Sequence, residues 1–216
     1  GRKVIGVDIN PLATFITRMQ VTDVDLEELS AAFEKVEHAC RESIEELYLT
    51  TCPKCGERVP ADWFEWSKCY ETPEHKIRAV VSECRKVGPG EYEMREGSKK
   101  ERFRPLNCKQ LADVLLNVCG DCQECQKRTI FEPATGDTDL AQRWASNYDE
   151  ICRSEGLPIP EERIPDMNMA RENALFKRGI TCFRNLFTPR NLIANGRLKK
   201  AILSQEFAGA IRDFLG

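Results

Sequence analysis

Cys52-Pro53-Lys54-Cys55-Gly56 is the stretch that decides how the middle of this chain is organised. A CxxC turn aims two thiolates and several backbone N–H groups at one point, and two such turns complete a tetrahedral Cys₄ metal site. The chain supplies a second one. Cys52-x-x-Cys55-Gly56-x-Arg58 and Cys122-x-x-Cys125-x-x-Arg128 match one another, and each runs on into a β-like stretch. The pair predicts a structural Zn²⁺ held by Cys52, Cys55, Cys122 and Cys125. Metal binding of this kind supplies folding free energy to a module with a small core. Cys119-x-x-Cys122 is a competing register, set aside because Arg128 then no longer mirrors Arg58. The spacing is unusual: 66 residues separate Cys55 from Cys122, against roughly 15–20 in compact ribbons. Cys69, Cys84 and Cys108 fall inside that gap as alternative ligands. A closed Cys₄ site leaves no open position for catalysis. Unpaired buried cysteines are the plainer alternative, and a thioredoxin-like redox pair lacks its βαβ setting.

Composition narrows the rest. The 216 residues contain 41% hydrophobic and 31% charged residues, which excludes a low-complexity disordered chain. Lys+Arg is 32 against Asp+Glu 35, so a strongly basic nucleic-acid coat is excluded, though a local basic patch is not. No apolar run is long enough to cross a membrane, and no membrane partner is expected. The N-terminal Gly1-Arg2-Lys3-Val4-Ile5-Gly6-Val7-Asp8 has neither an initiator Met nor a signal-peptide core. The expectation is therefore a piece of a longer cytoplasmic protein. Eleven cysteines in a reducing compartment favour metal ligation over disulfides.

The fold class expected is α/β to α+β, in three parts. Residues 1–49 read as a Rossmann-like strand–helix piece followed by a long helix. Val4–Ile9 is the strand, Asn10-Pro11 its stop, and Pro11–Arg18 the first helix. From Asp23 to about Leu49, Leu26, Leu29, Phe33, Val36, Cys40, Ile44 and Leu47 recur at helical spacing. Thr22, with Asp25 three residues on, resembles a capping box there.

Residues 50–132 read as the inserted zinc-ribbon-like module. It holds β-like pieces such as Lys76–Val81, a soft loop at Gly88-Pro89-Gly90, a charged stretch Glu96–Arg102, and a segment Leu106–Val118 whose period fits helix or strand. Residues 133–216 read as mainly helical. A helix near Leu140–Ser154 precedes an extended Pro158–Pro165. Another covers Met169–Arg178 and stops at Gly179, a third starts with Thr188 as cap and Pro189 at its first position, and Ser204 caps the last.

Gly6-Val7-Asp8-Ile9-Asn10-Pro11 carries a further possibility. An acid at the carboxyl end of the second strand of a doubly wound sheet can accept hydrogen bonds from the ribose hydroxyls of a nucleotide-like cofactor. The plainer reading is a strand followed by an Asx-type turn.

Together these stretches resemble a known family. Gly1-Arg2-Lys3-Val4-Ile5-Gly6-Val7-Asp8-Ile9-Asn10-Pro11-Leu12-Ala13 closely resembles a segment of S-adenosylmethionine-dependent DNA methylases of the amino (N4/N6) class. Leu186-Phe187-Thr188-Pro189-Arg190-Asn191-Leu192 is similar to a stretch of one subgroup, the adenine-specific DNA methylases that carry a zinc ribbon. Cys52-Pro53-Lys54-Cys55-Gly56 falls between the two, where that subgroup places its ribbon. The resemblance implies methyl transfer from S-adenosylmethionine to the exocyclic amine of adenine in DNA. It also implies that Asp8 binds the cofactor ribose and that Ile9 packs near the adenine ring, with DNA and the remainder of a methyltransferase chain as partners. Two family motifs are absent from these residues: the glycine-rich FxGxG cofactor loop and the catalytic Asp-Pro-Pro-Tyr. No catalytic residue is carried over, and the chain alone is expected to be inactive.

The rival expectation is a non-catalytic zinc-ribbon module that binds nucleic acid or a protein. Lys99, Lys100, Arg102 and Arg104, interleaved with Phe103, would then form a phosphate-contacting patch. A solvated loop is the plainer account of that run, since Glu96 and Glu101 dilute its charge.

Overall fold

A computed structural model describes residues 5, 7, 10–125, 127–172, 175–207 and 209–215. The chain divides into two units, Tyr48–Ala141 and Gly1–Leu47 with Gln142–Gly216. The class is α+β, and the described strands pair only in antiparallel fashion, in three small sheets. No Rossmann-like parallel sheet occurs among the described residues. Most of the expected strand Val4–Ile9, including Asp8 and Ile9, lies outside them. Its described members, Ile5 and Val7, are not in a strand and are almost fully exposed.

In the unit Tyr48–Ala141 the described residues form ten strands, two of them long. Strands β1 (Leu49–Thr51), β2 (Arg58–Ser67), β9 (Val114–Cys122) and β10 (Lys127–Phe131) form one sheet in the order β1-β2-β9-β10. The β2–β9 register runs from Ala61 opposite Gly120 to Ser67 opposite Val114, with irregularities at Asp62 and between Glu65 and Trp66. The segment of uncertain period, Leu106–Val118, thus resolves as a short 3₁₀ turn at Pro105–Asn107 and two strands. Between β2 and β9 the chain builds two further sheets. One is β4 (Arg78–Val80), β3 (Cys69–Glu71) and β8 (Lys109–Gln110); the other is β5 (Arg85–Gly88), β6 (Glu91–Glu96) and β7 (Lys99–Phe103). The charged stretch Glu96–Arg102, for which a solvated loop is the plainer account from sequence, is therefore mostly strand, and the soft loop Gly88-Pro89-Gly90 is the β5–β6 hairpin tip. Asp137, buried at the start of α3 (Thr135–Ser154), accepts bonds from the Thr50 hydroxyl and the Ala134 N–H, which ties that helix start to β1.

The other unit is helical: α1 (Pro11–Val21), α2 (Leu26–Glu45), the rest of α3, α4 (Asn168–Glu172), α5 (Pro189–Leu203) and α6 (Gly209–Leu215). Val36 and Cys40 of α2 pack with Ala201 and Ile202 of α5, joined by Ile44, Phe207 and Leu215. Arg197 of α5 is 11% exposed; it donates to both Glu155 oxygens, to Glu46 and to the Ser43 carbonyl.

Two cap expectations change. Asp25, not Thr22, caps α2, because its carboxylate is the group that reaches the N–H of Glu27 and Glu28. Thr22 instead ends α1, which Asn10 caps by accepting the Leu12 N–H. Ser204 closes α5 rather than opening α6; its N–H donates to Lys200 and its hydroxyl to Ala201. Thr188 does cap α5, accepting the Asn191 N–H, with Pro189 following. The expected helix Met169–Arg178 is described as α4 and a separate 3₁₀ turn Phe176–Arg178, which Gly179 ends with φ +76°.

Candidate metal centre

Two hairpins place the four cysteines. Cys52–Glu57 is the tip between β1 and β2, and Cys122–Cys125 lies in the tip between β9 and β10. Because β2 and β9 pair antiparallel, the start of β2 and the end of β9 meet at one end of the sheet. The 66-residue gap in sequence is thus no gap in space. It is an excursion through two extra sheets that leaves and returns along neighbouring strands.

At that end the Sγ atoms of Cys52, Cys55, Cys122 and Cys125 all lie within 4.8 Å of one another. Cys52 Sγ is 3.8 Å from Cys125 Sγ, and Cys55 Sγ is 3.5 Å from Cys122 Sγ. Four sulfurs about 2.3 Å from a tetrahedral Zn²⁺ would stand about 3.8 Å apart, so the donor set fits such an ion in number, chemistry and spacing. The cluster can hold a metal ion. Cys52 and Cys122 are buried together with Val59, and Cys125 packs against them.

The backbone prepares the site. The Cys52 N–H donates to the Glu57 carbonyl at 2.8 Å and the Gly56 N–H to the Cys52 carbonyl at 2.9 Å. Gly56 has φ +78°, the left-handed turn that favours glycine. The N–H groups of Cys55 and Lys54 point at the Cys52 sulfur and hold its pKa down to about 6. The side chain of Cys55, together with burial, pushes Cys125 up to about 12. Four thiols crowded into one spot cannot all ionise without a cation to share.

The alternative ligands lie elsewhere. Cys119 sits on β9 opposite Trp63, with its sulfur 3.7 Å from Asp62. Arg128 donates to the same Asp62 at 2.7 Å, so the arginine that mirrors Arg58 is a cross-strand partner. Cys84 bonds the Val80 carbonyl and touches the Met94 sulfur, and Cys108 bonds the Arg104 carbonyl. Neither these nor Cys69 joins a metal-like cluster among the described residues.

Sequence reasoning missed a second turn of the same form. Thr72-Pro73-Glu74-His75-Lys76 follows β3 as Cys52-Pro53-Lys54-Cys55-Gly56 follows β1. The Thr72 N–H donates to Ile77 at 2.9 Å, as Cys52 does to Glu57, and Lys76 takes the left-handed φ of +57° at the position of Gly56. Here the centre is a carboxylate. Glu101 of β7, buried, accepts the N–H of Glu74 at 2.9 Å and of His75 at 2.8 Å, with His75 Nδ1 at 3.2 Å. Burial alone would raise the Glu101 pKa, but the Thr72 hydroxyl and these two N–H groups hold it down to about 2. Glu74, His75 and Glu101 also group as metal donors do. Both Glu101 oxygens are nevertheless already taken up in pinning the turn. The legible signal was the shared second-position proline and fourth-position ligand type in TPEH and CPKC.

The run Lys99, Lys100, Arg102, Arg104 is divided by its strand. Lys100 and Arg102 share one face of β7, Lys99 belongs to the other, and Arg104 follows the strand end. Phe103 is buried and stacks on Tyr92 at 6.0 Å, so it does not interleave with the exposed cations.

No helix among the described residues is long and apolar enough to cross a membrane. No family model, curated protein or solved structure matches the chain.

Proposed function

We propose that this chain is part of an S-adenosylmethionine-dependent, adenine-specific DNA methyltransferase, and that its Tyr48–Ala141 unit is a structural Zn²⁺ ribbon. The observation that carries the proposal is the four-thiol cluster of Cys52, Cys55, Cys122 and Cys125, set between the two methylase-like stretches. Four cysteine ligands close the coordination sphere, so the zinc is structural and takes no part in the reaction. By the resemblance, Asp8 accepts hydrogen bonds from the cofactor ribose and Ile9 packs beside the adenine ring. The Rossmann-like sheet they belong to is completed by further chain bearing the FxGxG loop and the Asp-Pro-Pro-Tyr motif. Large apolar side chains in both methylase-like stretches support this. Leu12 is 61% exposed, Leu186 50% and Phe187 45%, as expected of faces that a larger catalytic domain covers. The absence of any disulfide among eleven cysteines suits a reducing, cytoplasmic setting.

The test is a longer protein from the same reading frame, assayed with radiolabelled methyl donor on DNA beside the 216-residue chain. Label enters adenine with the longer protein and not with the chain alone, since base flipping and transfer need all the elements together. Asp8→Ala in the longer protein weakens cofactor binding by roughly one to three orders of magnitude, following the loss of charge-assisted hydrogen bonds. Methyl transfer by the isolated chain, or flanking sequence lacking both motifs, overturns the proposal.

A further inference from the structure

The β5–β6–β7 sheet carries an uneven distribution of charge. Residues paired across an antiparallel sheet share a face, and neighbours along a strand alternate. Arg85, Glu93 and Arg102 form one row across the three strands, and Arg95 and Lys100 the next row on the same face. The opposite face carries Tyr92 against Phe103, Met94 against Glu101, and Glu96 against Lys99. So one face carries the buried Phe103 and Glu101, and the other presents four cations beside Glu91 and the buried Glu93.

At the centre of the cationic face is Glu93, with a side chain only 2% exposed. Lys100 Nζ lies 2.9 Å from it, Arg102 Nε 3.3 Å and Arg95 Nε 3.8 Å. The hydrogen bond from Lys100 leads in holding the Glu93 pKa below its ordinary value. Arg85 adds a fourth cation and Glu91, opposite Gly88, a second carboxylate, so the face carries four positive charges against two negative ones. The stems of the cations cover Glu93 while their heads stay in water: the side chains of Arg95, Arg102 and Lys100 are 67%, 63% and 45% exposed. The Glu93 carboxylate thus holds the cations in register instead of hiding them. A chain of formal net charge −3 thus carries an excess of cations on this face.

We propose that this face of the β5–β6–β7 sheet contacts the phosphate backbone of duplex DNA. The inference rests on the reading of the chain as part of a DNA-modifying enzyme and adds the surface through which the ribbon unit engages its substrate. The chemistry of the face selects among polyanions. No aromatic side chain lies on it, whereas single-stranded nucleic acid is gripped by stacking platforms. None of the exposed large apolar side chains among the described residues falls within β5–β7, whereas a membrane-binding surface needs one to insert. Cations without stacking or insertion groups suit the regularly spaced phosphates of a duplex, bound without sequence preference.

The test measures anisotropy of a fluorescein-labelled duplex of about 20 bp with the zinc-loaded 216-residue chain, at several salt concentrations between about 50 and 200 mM. Single-stranded RNA of the same length and phosphatidylserine vesicles are the comparison probes. The decisive variants are Arg85→Gln with Arg95→Gln, which keep the two shortest Glu93 pairs. Lys86→Gln with Lys99→Gln serves as control, removing equal charge from the opposite face. The arginine pair lowers the salt slope by about 2 and the lysine pair leaves it unchanged, at about 0.9 per phosphate contact. If the arginine pair does not retain zinc, Arg85→Gln alone is read in the same way, with a slope change of about 1. Equal losses in the two pairs, no loss in the arginine pair, no duplex binding at low salt, or preference for the RNA or the vesicles each overturns the proposal. Methyl transfer by the longer protein with an indifferent arginine pair removes this surface alone. DNA binding by the face in a longer protein without methyltransferase activity removes the enzymatic reading alone.

Discussion

Replacing Glu101 with Gln tests whether one carboxylate holds the second turn as the thiolates hold the first. Glu101 accepts two backbone N–H groups, one on each oxygen, at 2.9 and 2.8 Å, and is 4% exposed. Gln has the same size but one oxygen, so one of the two N–H donors meets an NH₂ group instead. A buried donor left unsatisfied costs about 1–3 kcal/mol, and the bond that survives loses its charge assistance, worth about 1 kcal/mol more. The expected cost is therefore about 2–4 kcal/mol, read by urea titration at pH 7 on zinc-loaded protein. Hydrogen exchange locates it: the amides of Glu74, His75 and Ile77 lose protection, while zinc content is unchanged. The pH dependence has a definite sign. The folded pKa, about 2, lies below the ordinary carboxylate value, so the contribution is complete above that ordinary value. It is lost as pH falls through the window down to about 2. The difference between wild type and variant is therefore flat from pH 8 to 5 and shrinks only below that. A difference under about 0.5 kcal/mol at pH 7, or one that does not shrink as pH falls below about 4, would refute the reasoning.

Three further outcomes follow from particular contacts. Protein purified without added metal carries about one zinc by elemental analysis; Cys55→Ser lowers metal affinity more than about 100-fold, whereas Cys152→Ser, far from the cluster in sequence and outside it, keeps the metal and shifts stability by under about 1 kcal/mol. Arg197→Met costs about 3 kcal/mol in denaturant titration, because Arg197 is largely buried and the fork on Glu155, with bonds of 3.0 and 2.6 Å, has no substitute; Arg197→Lys recovers only part of it. Gly196→Ala lowers the melting temperature through a cost of about 1–3 kcal/mol, since the new Cβ would stand 3.0 Å from Leu157 Cβ and 3.3 Å from its Cδ1.

The local chemistry of short stretches was enough to identify the CxxC turns, the capping of α5 by Thr188 and Pro189, and the helix α2, of whose expected stripe Val36 and Cys40 are buried while Leu26 and Phe33 are exposed. Each depends on residues within one turn or a few turns of the same segment, so the information is contiguous in the chain. Caps failed where two candidates competed: Thr22 and Asp25 both offer an oxygen, and only the backbone path decides which one reaches the free N–H groups. The choice of Cys122 and Cys125 as partners for Cys52 and Cys55 could be guessed from Arg58 and Arg128, but the distance they had to span was explained only by the pairing of β2 with β9. Glu101 was legible only as one charge in a mixed run. Its function as the pin of the Thr72–Lys76 turn depends on β7 coming beside a loop that begins 29 residues earlier. The cationic face is of the same kind: strand alternation splits Lys99 from Lys100, and pairing brings Arg85 and Arg95 to Arg102. Sequence determines what each short segment can offer, because torsions, caps and ligands act locally. Which offers meet is settled by strand register, a tertiary property in which a shift of one residue turns every side chain to the other face.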